Sequence, residues 1–531
     1  MRTIFINLST FIIIVTVLIS LFYQDFLWTF IITGPIIGIG LIDLLQTRHA
    51  IKRNFPVIGH FRYLFEFVRP EINQYFVESD TDGKPINRVQ RSIVYERAKE
   101  ELETVPFGTK EEIYSSGYEF VNHSMAPTLL SEDEKFVTVG GKDCSKPYRS
   151  SILNVSAMSY GALSKNAIQA LNGGAKDGNF AHNTGEGGLS EYHLKHGGDL
   201  ILQIGTGYFG FRDANGHFSD ELFEEQSNLE NIKMIEIKVS QGAKPSHGSF
   251  LPAKKISKEI ARIRKVEMGK DLVSPPTHSE FSTPLELLDF IKKLRRLSGG
   301  KPIGMKLCIG NKWEFIAICM AMKETGIMPD YISVDGAEGG TGAAPLEFTN
   351  YIGTPGLDGL NFLRNCLVGF GLRDKLKIFS SGKITTGFHI LRLKALGADV
   401  IYSARAMMLA LGCIQALRCH SNACPTGVAT QNPNLVKGLV VSDKRTRVKN
   451  YHKHTVDSVL EIAQAMGLKS LNDISPHHIN RRISDSHSKS YAEIYDIISE
   501  GCLLKKSSIP DSLKKDFERA TSESFHPLSF P

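Results

Sequence analysis

Three cysteines lie within twelve residues of one another: Cys413, Cys419 and Cys424. Clustered thiolates are soft ligands that select zinc or an iron–sulfur cluster. No fourth cysteine is close in sequence, and three ligands favour a three-iron cluster over a four-cysteine zinc site. The alternative is that the three thiols pack together in a protein core, as buried cysteines often do.

Glycine-rich and polar segments that follow apolar runs form a second group of candidates. They comprise residues 336–342, 381–383 and 404–406. In α/β barrels a phosphate commonly sits between the loops after strands seven and eight, where backbone N–H groups hold it. The alternative is that these glycines serve only tight turns.

Lys238 and Lys306 each end an apolar run of strand character. Lysine at such a position is a surface residue about as often as a functional one, because its charge is costly to bury without a partner. A buried lysine in this place would stabilise negative charge on a bound group. Both interpretations stay open at this point.

Eight short apolar runs alternate with helix-compatible segments and predict the strands that position these residues. The runs are residues 152–156, 180–183, 200–204, 234–239, 303–307, 331–334, 377–380 and 400–403. Eight such units over residues 150–430 predict an α/β fold of the (β/α)8 TIM barrel type, whose chemistry lies at the C-terminal ends of the strands. The G-x-G-x-x-G pattern at residues 205–210 opens no helix, which argues against a dinucleotide-binding fold. The long connection over residues 240–284 is typical of a lid or binding element.

Among the first 46 residues only Arg2, Asp25 and Asp43 are charged. Residues 3–23 and 26–42 predict an N-terminal transmembrane helical hairpin before the barrel. A cleaved signal peptide is the alternative, but the second apolar segment follows too closely. Basic residues after Asp43 favour a cytoplasmic catalytic domain by the positive-inside rule, so we expect a cell-membrane protein with two spans.

Residues 47–149 are predicted to form a helical linker and barrel-capping region, helical to about residue 115. Its apolar face contains Phe55, Val57, Ile58, Phe61, Leu64, Phe65 and Val68. Packing of this face against the body is favoured over membrane contact, because two spans already anchor the chain. Residues 431–531 are expected to form a helical region that ends in a surface helix and a loose tail.

The composition limits the choice of partners and compartment. The 531 residues include 42% hydrophobic and 22% charged residues, which suits a large globular body. A net charge of +6 is small for this length and no sustained basic run occurs, so no nucleic acid partner is predicted. Eight cysteines suit a reducing compartment.

Five ordered motifs resemble the FMN-binding synthase domain of glutamate synthase. They are Ser156-Ala-Met-Ser-Tyr-Gly-Ala-Leu-Ser164, His182-Asn-Thr-Gly-Glu-Gly-Gly188, Ile235-Glu-Ile-Lys-Val-Ser-Gln-Gly-Ala-Lys-Pro245, Gly339-Gly-Thr-Gly-Ala-Ala-Pro345 and Cys419-His-Ser-Asn-Ala-Cys-Pro-Thr-Gly-Val-Ala-Thr-Gln431. The similarity runs from about residue 100 to 470. The membrane hairpin and the segment His60-Phe-Arg-Tyr-Leu-Phe-Glu-Phe-Val-Arg-Pro-Glu71 resemble a stand-alone branch, the FMN-binding glutamate synthase-related proteins.

The resemblance implies FMN at the barrel mouth and a 3Fe-4S cluster held by Cys413, Cys419 and Cys424. In that family, electrons pass from the cluster to FMN, and flavin N5 delivers hydride to 2-iminoglutarate formed from 2-oxoglutarate and ammonia. Lys306 and Glu186 would be catalytic, with Lys306 at the pyrimidine edge of the flavin and Glu186 on the substrate side. The implied cofactor-binding residues are Ala157, Met158, Ser159, Gln203, Lys238, Lys306, Gly339, Gly340, Thr341, Ser381, Gly382, Lys383, Ala404 and Arg405.

Departures from the family pattern affect the expected partners. The glutaminase domain with its terminal cysteine has no counterpart in the start Met1-Arg2-Thr3, so ammonia is expected free or from a separate subunit. The family's Gly-His-Asp-Gly-Gly is Gly336-Ala337-Glu338-Gly339-Gly340 here, which loses an imidazole. No NAD(P)H domain is apparent, so a ferredoxin-like protein or a membrane carrier is the expected electron donor. The alternatives are another flavin-dependent amine or amino-acid redox reaction and a non-catalytic electron-relay subunit.

Overall fold

The structure is a computed structural model that describes residues 1–101 and 104–528. The chain forms two compact units, Met1–Gly83 and Lys84–Pro531. The larger unit contains every residue that the sequence singles out for cofactor chemistry.

Eight parallel strands of the larger unit close into a barrel, which confirms the predicted (β/α)8 TIM barrel. In chain order they are β1 (Leu153–Val155), β2 (His182–Asn183), β3 (Leu200–Ile204), β4 (Ile232–Lys238), β5 (Ile303–Cys308), β6 (Tyr331–Asp335), β7 (Lys377–Ser381) and β8 (Val400–Ser403). Each strand pairs with its neighbours in sequence. Strand β8 also pairs with β1, where Ile401 lies opposite Leu153, and this pairing closes the sheet.

A helix follows each barrel strand. These helices are α1 (Lys165–Gly178), α2 (Glu191–Leu194), α3 (Asp220–Ser227), α4 (Pro284–Leu297), α5 (Lys312–Thr325), α6 (Gly356–Gly369), α7 (Gly387–Ala395) and α8 (Arg405–Ala410). Local sequence sets several of their ends. Helix α4 begins with a capping box between Thr283 and Glu286 and has Pro284 at its first turn. Helix α5 ends at Gly326, which adopts the left-handed conformation that favours glycine.

Apolar side chains fill the inside of the barrel, so it is a packed core and not a channel. They are Ala181, Ile201, Met234, Tyr331, Phe379, Val400 and Tyr402. An antiparallel hairpin of Phe136–Val139 and Tyr148–Ser151 lies at the N-terminal end, where Tyr148 donates a hydrogen bond to Asp199 just before β3. With this end covered, the C-terminal end is left for chemistry.

Two helices outside the barrel pack on its wall. The long helix Val441–Ala465 contacts α1, and a Cβ added at Gly174 would come 2.7 Å from the Val448 side chain, so glycine lets these helices approach closely. The helix Arg88–Lys99 contacts both this long helix and α8. The hydroxyl of its Tyr95 donates to the carbonyl oxygen of Cys413 at 2.7 Å. This bond connects the helix to residues 413–424, called here the cysteine segment.

The remaining elements are short. They include the strands Glu119–Val121, Ile479–Arg482, Ser488–Ser490, Phe250–Leu251 and Leu272–Val273, the helices Lys258–Arg264, Leu346–Tyr351, Pro433–Val436, Tyr491–Ile494 and Asp511–Arg519, and the 3-10 turns Glu132–Lys135, Ala253–Lys255, Arg373–Lys375, Leu471–Asp473, Pro476–His478, Cys502–Leu504 and Lys506–Ser508. The connection after β4 therefore has secondary structure of its own.

Two expectations outside the barrel need correction. Residues 104–118 are not helical, although the sequence predicts helix to about residue 115. The C-terminal region is not loose up to residue 528, because the indole nitrogen of Trp313 donates to the carbonyl oxygen of Phe525 at 3.3 Å. Leu513 of the last helix is also buried. The C-terminal region is held by contacts with residues that are distant in sequence. Such contacts produce no helical or strand periodicity from which they could be predicted.

The smaller unit is helical. Its elements are Arg2–Ser20, the 3-10 segment Gln24–Thr29, Phe30–Leu45, Ala50–Asn54, Gly59–Ile72 and the π-helical turn Asn73–Val77. Arg2–Ser20 and the stretch Gln24–Leu45 are long and apolar enough to cross a membrane, and only 11% and 17% of their apolar windows are buried. Three phenylalanines of Gly59–Ile72 are exposed as well, with Phe61 at 55%, Phe65 at 62% and Phe67 at 63%.

Candidate active site

The C-terminal ends of the barrel strands surround a cavity of about 320 Å³. This volume is within the range of small-molecule and cofactor sites. A smaller cavity of about 60 Å³ shares several wall residues with it and extends toward the loops after β7 and β8. The connection after β4 and the cysteine segment supply the rest of the wall, so these two long insertions complete the site.

Nearly all the residues expected at the site reach these cavities. The large cavity is lined by Ala157, Met158, Ser159, Glu186, Gln203, Lys238, Lys306, Gly340, Thr341, Ala404, Arg405, Cys413 and Cys419. The small cavity adds Gly339, Ser381, Gly382 and Lys383. Cys424 lines neither of them and is buried behind the wall.

Glu186 and Lys238 form a close ion pair on the wall of the large cavity. Nζ of Lys238 donates to Oε1 of Glu186 at 2.5 Å. Burial alone would raise the pKa of Glu186, but Lys238 and Lys244 outweigh it and hold that pKa below its usual value. Glu186 is therefore a carboxylate at neutral pH and serves as an acceptor, not as an acid.

Lys306 is held by an acidic partner on the next strand. Its Nζ lies 3.4 Å from Oδ2 of Asp335. Burial acts to lower the pKa of Lys306, yet Asp335 and Glu236 outweigh it and the pKa is raised. The ammonium is thus a permanent positive charge in the cavity wall. It is suited to stabilising an anionic group placed against it.

Asp335 is oriented by two further donors. The hydroxyl of Ser381 donates to Oδ1 at 2.9 Å, and the backbone N–H of Gly242 donates to Oδ2 at 3.2 Å. A Cβ at Gly242 would lie 1.8 Å from the carbonyl oxygen of Gly336, so only glycine permits this approach. The loop after β4 is in this way fixed to the ends of β6 and β7.

A buried carboxyl group, Glu236, lies among polar side chains inside the barrel. Its oxygens accept from Asn183 at 2.9 Å, from Gln203 at 2.7 Å and from Tyr402 at 3.1 Å. Burial raises the pKa of Glu236 despite the opposing charge of Lys306. Gln203, which also lines the cavity, is held in place by this network.

Two cationic residues of the site, Lys244 and Arg264, are missed by the sequence analysis. Burial lowers the pKa of Lys244 to about 8 and that of Arg264 to about 10. Arg264 donates to the Ser159 hydroxyl at 3.2 Å and to the Tyr160 carbonyl at 3.0 Å, and its buried Nε has no hydrogen-bond partner within the described part of the chain. In the sequence, only the unusual length of the connection over residues 240–284 pointed to these residues. The neighbouring sequence does not show which of its lysines and arginines face the cavity.

The small cavity has the properties of an anion cradle. Lys383 and Arg405 both line it, beside the glycine backbone of Gly382. The pKa of Lys383 is lowered first by burial and then by the nearby positive charge of Arg405. An anion between the two cations would relieve this repulsion, which fits a phosphate group.

Cys413 and Cys419 lie on the wall of the large cavity, and Cys424 lies close enough that the three thiols affect one another's pKa. Burial raises the pKa of Cys413 to about 11. Burial acts to raise that of Cys424 too, but hydrogen bonds from Thr426 and Ala429 outweigh it. Over residues 1–101 and 104–528, no three His, Cys, Asp or Glu side chains stand as a ready metal-ligand group. The donor chemistry of three neighbouring thiols suits an iron–sulfur cluster.

Lys255 connects the cysteine segment to the rest of the site. Its buried Nζ donates to the carbonyl oxygens of Cys419 at 2.7 Å, Ala429 at 3.0 Å and Ala162 at 3.2 Å. All three protons of the ammonium are therefore used. One side chain from the connection after β4 thus links Cys419 and Ala429, which lie on either side of Cys424, to the loop after β1.

The chain is similar to known proteins over most of its length. Residues 118–469 match the family model described as the conserved region in glutamate synthase. The glutamate synthase large subunit-like protein YerD of Bacillus subtilis is 39% identical over 484 residues, covering 83% of this chain and 92% of YerD. Archaeal glutamate synthase [NADPH] of Methanocaldococcus jannaschii is 32% identical over 321 residues, covering 60% of each chain. A solved mutant flavocytochrome b2 with pyruvate bound aligns over 82% of this chain and 92% of its own at 13% identity, with a TM-score of 0.42.

Proposed function

The chain belongs to the glutamate synthase family, and on this premise we propose that it is an FMN-dependent oxidoreductase that reduces an imino or oxo acid. The observation that carries the proposal is the pair of joined cavities at the strand ends. One has the volume of a small-molecule site, and the other has two cations beside glycine backbone. This is the arrangement that a ring system with a phosphate tail requires.

The residues present fit FMN. Lys383, Arg405 and the backbone at Gly382 would hold its phosphate, and Ala157 and Met158 would line its ring. When bound, the flavin supplies hydride chemistry at its N5 atom. Lys306 in the cavity wall remains protonated at neutral pH, because Asp335 and Glu236 raise its pKa. It would stabilise negative charge on the group that it faces.

The charges of the large cavity favour an acidic substrate. Lys244 and Arg264 are both buried, and the described structure gives Arg264 no acidic side chain as a hydrogen-bond acceptor. Glu186 is the anion whose charge reaches Lys244 and Arg264 as well as Lys238, so a substrate carboxylate would balance the positive charge that remains. Glu186, which Lys238 keeps ionised, would in turn accept a hydrogen bond from an N–H group of the substrate. A 2-oxo acid with ammonia, such as 2-oxoglutarate, has both features.

The iron–sulfur part of the proposal depends on the three cysteines. A 3Fe-4S cluster at Cys413, Cys419 and Cys424 would lie beside the large cavity, since two of these residues line it. A ferredoxin-like protein or a membrane carrier is then the proposed electron donor. Ammonia is proposed to arrive free or from a separate subunit.

The smaller unit is proposed to anchor the protein in a membrane with the barrel in the cytoplasm. Its two apolar helices are buried by only 11% and 17%, which does not suit the core of a soluble protein. The cluster of Arg48, Lys52 and Arg53 after the second helix supports this orientation by the positive-inside rule.

A second candidate is a different amine or amino-acid redox reaction on the same cofactor. It is favoured by Glu338, which stands in the changed glycine motif after β6. Its Oε2 accepts the backbone N–H of Gly356 at 2.9 Å, and its own carbonyl accepts from Arg405 at 2.8 Å. This side chain is therefore used to hold the start of α6, and Ala337 beside it offers no polar group to a substrate.

Anaerobic turnover separates these two candidates. The full-length protein, reconstituted with iron and sulfide, is mixed with reduced ferredoxin, 2-oxoglutarate and ammonium, and glutamate is measured. Formation of glutamate that is lost in Glu186→Gln supports the synthase reaction. If no glutamate forms while other oxo acids with ammonium or amines still reoxidise the flavin, the second candidate is correct. Both candidates would be rejected if no oxo acid with ammonium or an amine reoxidised the reduced flavin, and if no amine or amino acid reduced the oxidised flavin.

A further inference from the structure

The helix Gly59–Ile72 presents an apolar stripe on the surface of the smaller unit. Its members recur at helical spacing and are Phe61, Leu64, Phe65, Val68 and Ile72. Phe61 is 55% exposed, Leu64 51% and Phe65 62%, and the π-helical turn that follows adds Phe76 at 84%. A contiguous exposed apolar stripe of this kind marks a surface that binds a membrane or another protein.

The helix is attached to the end of the second apolar helix by a single carboxylate. Asp43 is buried at the last turn of Phe30–Leu45. Its oxygens accept the backbone N–H of Val57 at 2.9 Å and lie 2.8 and 2.9 Å from Nε2 of His60. These bonds fix the first turn of Gly59–Ile72 at the point where the proposed membrane span ends.

Close packing makes this junction compact. The short helix Ala50–Asn54 crosses the start of Gly59–Ile72, and a Cβ added at Gly59 would lie 2.9 Å from Cα of Lys52. Nζ of Lys52 lies 4.9 Å from the ring centre of Tyr63, as in a cation–π contact. The chain therefore turns sharply after the span instead of continuing away from it.

The charges beside the stripe match an anionic surface. Residues 47–77 contain five Lys or Arg and two Glu. Arg62 and Arg69 are exposed and lie three and four residues from Phe65, so they flank its side of the apolar stripe, where Arg62 also pairs with Glu66 at 2.8 Å. Long basic side chains in that position reach lipid head groups while the aromatic residues enter the acyl region.

We propose that Gly59–Ile72 lies in the plane of an anionic membrane, with Phe61, Leu64 and Phe65 below the head groups, as a third membrane contact beside the two spans. The inference rests on the proposed anchoring of the smaller unit and extends it. An amphipathic helix of this kind buries its apolar face about 5–10 Å into the boundary between head groups and acyl chains. It would hold the segment leading to Gly83 along the membrane surface.

Tryptophan quenching by brominated lipid tests the proposal on the full-length protein. The natural tryptophans are replaced by Trp28→Phe and Trp313→Phe, and Phe65→Trp or Glu66→Trp is added as a reporter. These adjacent residues are exposed by similar amounts but point to different sides of the helix. The vesicles contain phosphatidylcholine and phosphatidylglycerol with brominated acyl chains. We expect stronger quenching and a bluer emission for Phe65→Trp than for Glu66→Trp.

Trp28, in the turn before the second apolar helix, reports separately on the anchor in a Trp313→Phe protein. If Trp28 is quenched and the Phe65→Trp reporter is not, the anchoring holds and the proposed helix contact is wrong. Quenching of the Phe65→Trp reporter without that of Trp28 would support the surface contact and reject the spans. Equal quenching at both helix positions, or concentration-dependent self-association that shields the Phe65→Trp reporter from lipid, would also overturn the proposal.

Discussion

Nζ of Lys238, at the end of β4, lies 2.5 Å from Oε1 of Glu186, in the loop after β2. Both side chains line the large cavity and both are mostly shielded from solvent, with 10% and 15% of their side-chain surface exposed. An ion pair in such a place costs desolvation of both groups. Its position beside the proposed flavin site indicates that it is kept for recognition or catalysis, since an apolar pair would be at least as stable.

Replacement of Glu186 by Gln should abolish turnover and lower stability. Lys238 would keep a buried charge without its partner, which costs about 3–5 kcal/mol in comparable cases. Thermal unfolding and bound flavin are measured together with activity. We expect a lower unfolding midpoint, retained FMN and no product. Unchanged turnover would show that Glu186 has no part in the reaction.

The same pair predicts a dependence of stability on pH. The pKa of Glu186 is below its ordinary value of 4.5 in the folded state. The pair therefore contributes fully above that value, and its contribution is lost as the pH falls through the folded-state pKa. Between pH 7 and pH 3, Glu186→Gln should lose less stability than the wild type. Parallel unfolding curves across this range would contradict the assignment.

Lys255→Met should loosen the cysteine segment. The substitution leaves three buried carbonyl oxygens without their donor, and each unsatisfied group costs about 1–3 kcal/mol. Lys254→Met is the matched control, because Lys254 is the exposed neighbour. We expect faster amide exchange in residues 413–429, and less retained iron, only in Lys255→Met. Equal iron content and equal exchange in both variants would remove the positioning role from Lys255.

Gly242→Ala should disrupt the site, whereas Gly310→Ala should have little effect. A Cβ at Gly242 would meet the Gly336 carbonyl at 1.8 Å, and the nearest atom to a Cβ at Gly310 is 3.8 Å away. The clash would displace the N–H that binds Asp335 and so disturb Lys306. Flavin content and unfolding midpoint are compared for the two variants. Full flavin binding by Gly242→Ala would contradict the described approach of the two loops.

The lowered pKa of Lys244 predicts that substrate binding weakens at basic pH. Because burial lowers its pKa to about 8, it carries a positive charge below that pH and loses it above. If it binds a substrate carboxylate, KM should rise as the pH passes through about 8, with kcat changing less. Lys244→Met should have a high KM at all pH values and lack this limb. If KM of Lys244→Met still rises through about pH 8 as in the wild type, another group is responsible for this pH dependence.

The barrel could be predicted from the sequence because each strand is a short apolar run that ends in a polar or glycine turn. The cofactor-facing residues followed, since parallel strands bring their C-terminal ends together. Lys244, Arg264 and Lys255 could not be predicted in the same way. They belong to one long connection whose path depends on contacts with distant loops, such as the bonds from Lys255 to Ala162 and Cys419.

The helix Gly59–Ile72 illustrates the opposite case. Its amphipathic pattern is plain in the sequence, and the sequence favours packing of the apolar face against the body of the protein. The exposed fractions of Phe61 and Phe65 favour a different occupant. A pattern fixes which face of a helix is apolar, but it does not fix what covers that face.

Flavin content tests the central claim most directly. The full-length protein is purified under anaerobic conditions, denatured, and its released flavin identified and counted, with Arg405→Ala as the cradle variant and the exposed Lys437→Ala as its control. We predict about one FMN per chain for the wild type and Lys437→Ala, and a large loss for Arg405→Ala, because one of the two cations that would hold the phosphate is removed. A wild-type protein that neither contains FMN nor binds it on reconstitution would contradict the account.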